Sequence, residues 1–566
     1  MRRTRVVFAL ALALSAALAL GGCNAGPNVA RGSTLVVTLE GAYTDGQDLG
    51  PLARLLGGGE QSLLSLYSAL RKAELDERIE RVVLRVRGLG VGWAKAQEMR
   101  SAIERLNAAG KKTVAVLEVE GYGVGGYYVA SAAEKVVVTP ASRSPLLGLA
   151  AEHLYFAGLF EKLGVMVEYE RAGDYKSAVE PYTSEKMSDA TREMTNALLD
   201  STEAAFVADV ARARGLDEKR VRELVDEAPS SAEELLAAKL VDRVAHYEDV
   251  VKDETVVSAE DWALVEVEGA QPAATVALIQ GVGMVVTGSA DITPAGERLM
   301  AADTFVKAVH EAAEDADVKA LLVRIDSPGG SPLASDLMWR ALRDARAAGK
   351  PVVVSMSDVA ASGGYYVACA ADTIVAQPST LTGSIGVFAL RPSLGGLLEK
   401  AGVTVETMQR GANADLLFGS QPLSVGARAV LKRDIEGVYE QFVGRVAEGR
   451  ELEPDAVKRV GGGRVWTGVQ AKEHGLVDEL GGFYEAAAAV KRAIGVDEDA
   501  TIALKPFPAP PTLADQLTQL LRGAGTSAAA ARLDALPSEL RALHTLATEL
   551  PAGAPLLIAP GVVVLR

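Results

Sequence analysis

The chain has 566 residues, beyond the size at which a single hydrophobic core keeps growing, so two or more domains and an enzyme-sized interior are expected. Hydrophobic residues at 49% and charged residues at 23% are ordinary for a folded protein and exclude a largely disordered chain. Lys+Arg 58 against Asp+Glu 74 gives a formal net charge of −16, which argues against a nucleic-acid partner and is best read as solubility.

Residues 1–22 carry the pattern of an export signal: MRRTR, then the apolar run VVFALALALSAALAL, then small residues. That run is shorter than the ~20 residues a membrane-spanning helix needs. Leu20-Gly21-Gly22-Cys23 resembles a bacterial lipobox, so Cys23 is the expected lipidation site and acyl chains would hold the protein at a membrane surface. The only other cysteine is Cys369, which leaves no intramolecular disulfide to stabilise the exported protein.

From residue 33 onward the chain states one pattern twice. STLVVTLEGAY (33–43) and ATVALIQGVGMVVTG (274–288) read as first strands. ERVVLRVRGLG (80–90) parallels KALLVRIDSPGG (319–330), each a β-rich run ending in a glycine turn. A helix follows in both copies and stops at AAGK, 108–111 and 347–350. Buried strands TVAVLEV and PVVVSMS come next, and GGYYVA then fixes the alignment: Tyr127 and Tyr365 stand 238 positions apart, as do Pro140 and Pro378. Each copy closes on Leu-Val-Asp, at 240–242 and 476–478. Repeats are therefore expected over 33–250 and 274–495, with a linker at 251–273, and alternating strands and helices imply an α/β fold with mostly parallel pairing. Residues 500–566 turn Pro- and Ala-rich and form a C-terminal extension, read as packing on the body or joining subunits in preference to touching lipid.

Duplication exposes chemistry where the copies disagree, because a residue needed only for folding should persist in both. Before GGYY the first copy has Val124 and the second has Ser362. GDYKSAVEPY places Lys176 where the second copy has Asp415. One copy offers a hydroxyl nucleophile and the other an amine, so a working site has to be assembled between them. A buried lysine loses affinity for its proton and can serve as general base to a serine. Gly363, at a helix start, and the Asp326-Ser327-Pro328-Gly329-Gly330 turn are sources of backbone N–H groups for an oxyanion. Taken singly, Ser362 reads as a helix cap, Lys176 as a surface lysine and Ser384 as a turn residue.

At GDYKSAVEPY, ASGGYYVACAAD, PSTLTGSIGVF and GRVWTGVQAKEHGLVDELGG the chain resembles the long, duplicated form of the signal peptide peptidase A (protease IV) family, of the Clp protease/crotonase superfold. The resemblance covers roughly residues 33–495. It implies a tandem duplication of that α/β domain and a membrane-associated serine endopeptidase with a Ser362–Lys176 dyad. It further implies that Ser384 orients the lysine, that Gly330 and Gly363 are oxyanion donors, and that no cofactor is used. The implied substrates are cleaved signal peptides and other extended hydrophobic segments. The implied setting is a homo-oligomer, a tetramer, on the bacterial cell envelope facing the periplasm or exterior. The chain departs from the long form in carrying a lipobox where an N-terminal membrane helix is usual, and its Pro-rich tail has no counterpart.

Other chemistry has little support. His153, His246, His310, His474 and His544 form no metal-ligand spacing, and no G-x-S-x-G elbow occurs. The alternative of another class is a non-catalytic membrane-surface scaffold of the same fold; a crotonase-type acyl-CoA enzyme, needing no dyad, is a weaker third.

Overall fold

The computed structural model describes residues 27, 29–46, 61–121, 123–144, 146–267, 271–293, 297–510 and 557–558. The export segment and Cys23 lie outside them. Two α/β units follow one another along the chain. In the first, β1 (Ser33–Gly41), β2 (Ile79–Leu89), β3 (Lys112–Leu117) and β4 (Lys135–Val138) pair in parallel. Their Val- and Leu-rich runs suit strands covered on both faces, and Leu35, Val83, Val116 and Val136 are fully buried. β5 (Met166–Ala172) leaves this sheet, β6 (Arg243–Val244) pairs with β4, and β7 (Val256–Ser258) pairs with β1.

The second unit repeats the plan. β8 (Ala274–Val282) leads to a side sheet containing β9 (Met284–Val286) and β10 (Leu299–Ala301). β11 (Val318–Ser327) runs into the short β12 (Gly329–Gly330), which joins that side sheet beside β9. β13 (Val352–Ala361), β14 (Thr373–Ala376) and β15 (Leu381–Gly383) extend the main sheet in parallel; β16 (Val387–Ser393) leaves it. Later strands are β17 (Val465–Thr467), β18 (Glu479–Leu480), β19 (Ile502–Phe507) and β20 (Leu557–Ile558). The repeats also match in their helices: α1 (Trp93–Ala108) and α4 (Pro332–Ala347) have 16 residues each, and α3 (Asp189–Arg214) and α6 (Val425–Arg450) have 26 each. Between these pairs, α2 (Val124–Ala130) corresponds to α5 (Gly363–Ala368).

Two segments differ from the sequence expectation. Residues 251–273, read as linker, supply β7 to the first sheet and the helix Ala259–Ala263, whose Trp262 is fully buried and donates its indole N–H to the Ala69 carbonyl at 2.9 Å. Residues after 500, read as extension, supply β19, which pairs in parallel with β8 over six residue pairs. Each unit thus ends with an edge strand beside its own first strand.

The units are joined in two ways. β5 of the first and β16 of the second form an antiparallel ladder from Met166↔Ser393 to Ala172↔Val387. The first unit's apolar core also takes in Val276, Leu278, Ala320, Leu322, Val353 and Phe483 from the second. An apolar face shared this way lowers the freedom of one unit to move on the other.

Candidate active site

Ser362 is the single residue between the end of β13 and the start of α5. Its backbone sits at φ 54 and ψ −116, a conformation that costs a non-glycine residue on the order of 1–3 kcal/mol. Two bonds hold it there: its N–H donates to the Gly383 carbonyl and its carbonyl accepts from the Tyr366 N–H, both at 2.8 Å. The sharp turn carries the buried hydroxyl to the boundary with the first unit.

Lys176 reaches that boundary from the other side. It follows β5 on the turn that begins the 3-10 segment Ser177–Val179, and its side chain is fully buried. A three-glycine loop makes room for it. The Tyr175 N–H donates to the Gly462 carbonyl at 3.0 Å, and a Cβ on Gly463 would collide with the Lys176 backbone. Gly462 and Gly463, at φ 62 and 85, take the left-handed conformation that suits glycine.

The amine ends among three oxygens. Lys176 Nζ lies 2.8 Å from Ser362 Oγ, 2.9 Å from Ser384 Oγ and 3.0 Å from the Ser384 carbonyl oxygen. The amine and the Ser362 hydroxyl are thus within normal hydrogen-bond reach. Ser384 is itself at φ 51, fixed by its N–H donating to the Arg464 carbonyl at 2.7 Å. Burial alone pushes the Lys176 pKa well below the ordinary lysine value. The two acids near it in sequence do not oppose this. Asp174 is exposed, and the Glu180 carboxylate turns to the start of α3, accepting from Ser188 Oγ at 2.7 Å and Thr191 Oγ1 at 2.9 Å.

The two glycines expected as donors are neighbours. A Cβ built on Gly363 would stand 3.0 Å from the Gly330 nitrogen and 2.7 Å from Ser335 Oγ. A Cβ on Gly330 would strike the Val285 carbonyl, so only glycine lets β12 lie against β9. The other edge of β12 pairs antiparallel with β20 of the C-terminal extension, Gly329↔Ile558 and Gly330↔Leu557. Beside Lys176 and β9, the residues Ala178, Val179, Val286, Leu299, Ala301 and Phe388 form an apolar cluster drawn from both units.

Cys369 lies beyond the helix that starts after Ser362; burial pushes its thiol up to about 12, and it packs without exposure. In the first unit, Val124 occupies the serine position and is buried. Asp415, opposite Lys176 in the alignment, instead accepts from the Ser424 N–H at 2.6 Å. The Gly461–Gly463 loop was not singled out from the sequence, although three consecutive glycines were a visible signal.

Comparison with known proteins adds to the geometry. The model of "Peptidase family S49" matches residues 105–258 and again 344–497. "Serine protease SPPA, chloroplastic" of Arabidopsis thaliana is 32% identical over 518 residues, covering 88% of this chain and 74% of that protein. "Protease 4" of Salmonella typhi is 33% identical, covering 85% and 81%, and "Protease 4" of Haemophilus influenzae 29%, covering 83% and 80%. Among solved structures, a mutant ClpP1 from Listeria monocytogenes matches with TM-score 0.24 and 13% identity, covering 37% of this chain and 93% of that one.

Proposed function

The chain belongs to peptidase family S49 and is a serine peptidase, and from that premise we propose that Ser362 is its nucleophile and Lys176 its general base. The observation that carries the reading is the 2.8 Å contact between a lysine amine stripped of solvent and a serine hydroxyl held in a strained turn. A neutral amine has two N–H bonds and one lone pair. With the N–H bonds donated to the two Ser384 oxygens, the lone pair faces Ser362, whose O–H then donates to nitrogen.

Attack follows from this arrangement. Ser362 Oγ adds to the substrate carbonyl carbon as its proton passes to Lys176 Nζ, and the oxyanion is received by the Gly330 and Gly363 N–H groups. The lysine ammonium then protonates the leaving amine, and the amide C–N bond breaks to leave an ester on Ser362. Water, giving its proton to the same amine, releases the acid and restores the serine.

The proposed substrates are extended apolar peptides, including cleaved signal peptides. Two features support this: the β12 edge accepts an antiparallel strand, and the apolar cluster of Val286, Leu299 and Phe388 lies beside it. The proposed setting is a membrane surface, reached through lipidation of Cys23. Among the described residues no helix is long and apolar enough to cross a membrane. We further propose a head-to-tail homo-oligomer. In the first unit the α1 residues Ala94 and Glu98 are buried, Glu98 against Arg324 of the second, whereas their counterparts 239 positions on, Leu333 and Leu337, are 62% and 45% exposed. A second copy's first unit would cover them.

Hydrolysis of a fluorogenic apolar peptide tests the reading. Ser362→Ala and Lys176→Met should each lose turnover by about 10²-fold or more, and mixing the two variants should restore none, because both groups come from one chain. Wild-type turnover in either variant would refute the dyad.

A further inference from the structure

Lys95 stands on α1 of the first unit, far in sequence from the dyad, and its side chain enters the second unit. Its Nζ lies 2.6 Å from Asp326 Oδ2 and 3.3 Å from both Asp358 Oδ2 and Asp45 Oδ2. Its backbone N–H also donates to Asp358 Oδ1 at 3.0 Å. Burial opposes the lysine charge, but these three carboxylates outweigh it and hold the amine protonated, well above the ordinary lysine range.

Asp326 and Asp358 flank an irregularity in the sheet. β11 and β13 pair regularly up to Ile325↔Met356, but the next pair is Ser327↔Ala360, so Asp326 alone faces the stretch Ser357–Val359. Where the ladder fails, the Asp326 Oδ1 accepts the Val359 N–H at 3.2 Å. Bulges of this kind re-aim the strand that carries them. Asp326 lies four residues before Gly330, and Asp358 four before Ser362. In the first unit the ladder stops at the equivalent pair, Val86↔Leu117, without resuming past a shift, and Arg87 stands where the second unit has Asp326. Irregularity, paired acids and serine occur together, in one repeat, and the cation that ties them comes from the other.

We propose that Lys95 is a positioning residue that locks this bulge, fixing the spacing between the Gly330 N–H and the Ser362 hydroxyl that a tetrahedral adduct requires. The inference rests on the peptidase reading above. The first unit then supplies both the base and the clamp on the oxyanion strand.

The test compares Lys95→Met, Lys95→Arg and Asp358→Asn in the full chain, the last keeping side-chain volume in case the first does not fold. Each is assayed with an apolar peptide and with the aldehyde of the same peptide, whose hemiacetal oxygen occupies the oxyanion site. Lys95→Met and Asp358→Asn should lower kcat by about 10–100-fold, part of the loss expected for a missing oxyanion donor. KM should stay within about twofold, aldehyde binding should weaken by the same factor as kcat, and Lys95→Arg should recover most of both. Unchanged kcat and aldehyde affinity would overturn the inference. So would parallel losses in kcat, KM and melting temperature without selective loss of aldehyde binding, the mark of a structural role. If Ser362→Ala and Lys176→Met stayed active, the dyad reading itself would fall; if they are dead and Lys95→Met is not, only this inference does.

Discussion

Replacing Ser384 by alanine removes the hydroxyl 2.9 Å from the Lys176 amine and leaves the Ser384 carbonyl, at 3.0 Å, in place. Losing one hydrogen bond in a buried site costs about 1–3 kcal/mol. At ~1.4 kcal/mol per decade of rate, that is roughly 5–150-fold in kcat. Because the carbonyl still directs one N–H, the lower part of the range applies, about 10–30-fold. KM should not move, since Ser384 is buried behind the amine. Backbone strain complicates the alanine variant: Ser384 sits at φ 51, where any Cβ is disfavoured. Ser384→Gly removes the same hydroxyl and relieves the strain, so both variants should lose kcat alike while the glycine variant melts higher. Steady-state kinetics on an apolar peptide, with melting curves, reads both. A glycine variant with kcat within about twofold of wild type would refute the claim that the hydroxyl orients the base.

Three further outcomes follow from the same contacts. Gly363→Ala places a methyl 2.7 Å from Ser335 Oγ and 3.0 Å from the Gly330 nitrogen, so it should spread the two proposed oxyanion donors and cut kcat by about 10²-fold. Arg324 is fully buried at the interface of the units, with its guanidinium on Asp45 at 2.8 Å and Glu98 at 2.7 Å; Arg324→Met leaves Glu98 without its cation and Asp45 with Lys95 alone, and should lower unfolding free energy by about 3–5 kcal/mol in denaturant titrations. Lys176→Met should raise stability at neutral pH. The folded-state pKa of Lys176 lies below the unfolded value of 10.5, so the unfolded chain binds more protons in that window and folding weakens as pH falls through it. Methionine removes the penalty, and melting temperatures of the two proteins should converge toward pH 10.5; a variant that melts lower throughout would contradict the burial argument.

The duplication and both halves of the proposed dyad were legible because they are local in sequence: GGYYVA fixes the register, and Ser362 against Val124 and Lys176 against Asp415 stand out as mismatches once the copies are aligned. Ser384 needed the family resemblance, because a serine in a glycine-rich turn has no signal of its own. What could not be read depends on distant partners. β7 and β19 lie in segments that look like linkers, being short and, in β19, broken by Lys505 and Pro506, and they become strands only by docking beside β1 and β8. The β5–β16 ladder joins residues more than two hundred positions apart with no pairing motif. Lys95, Asp358 and Arg324 carry no signal of burial in the sequence, which cannot show which charges of the other unit will meet them. The irregularity at Ser357–Val359 leaves no trace in the sequence of the buried strand β13.

Covalent labelling of Ser362 by a serine-directed phosphonate, followed against pH, tests the central claim most directly. The rate should climb with pH as the Lys176 amine loses its proton, with a midpoint below the ordinary lysine value of 10.5, and should fall by about 10²-fold or more in Lys176→Met at every pH. A Lys176→Met protein labelled at the wild-type rate, with the wild-type pH profile, would contradict the account.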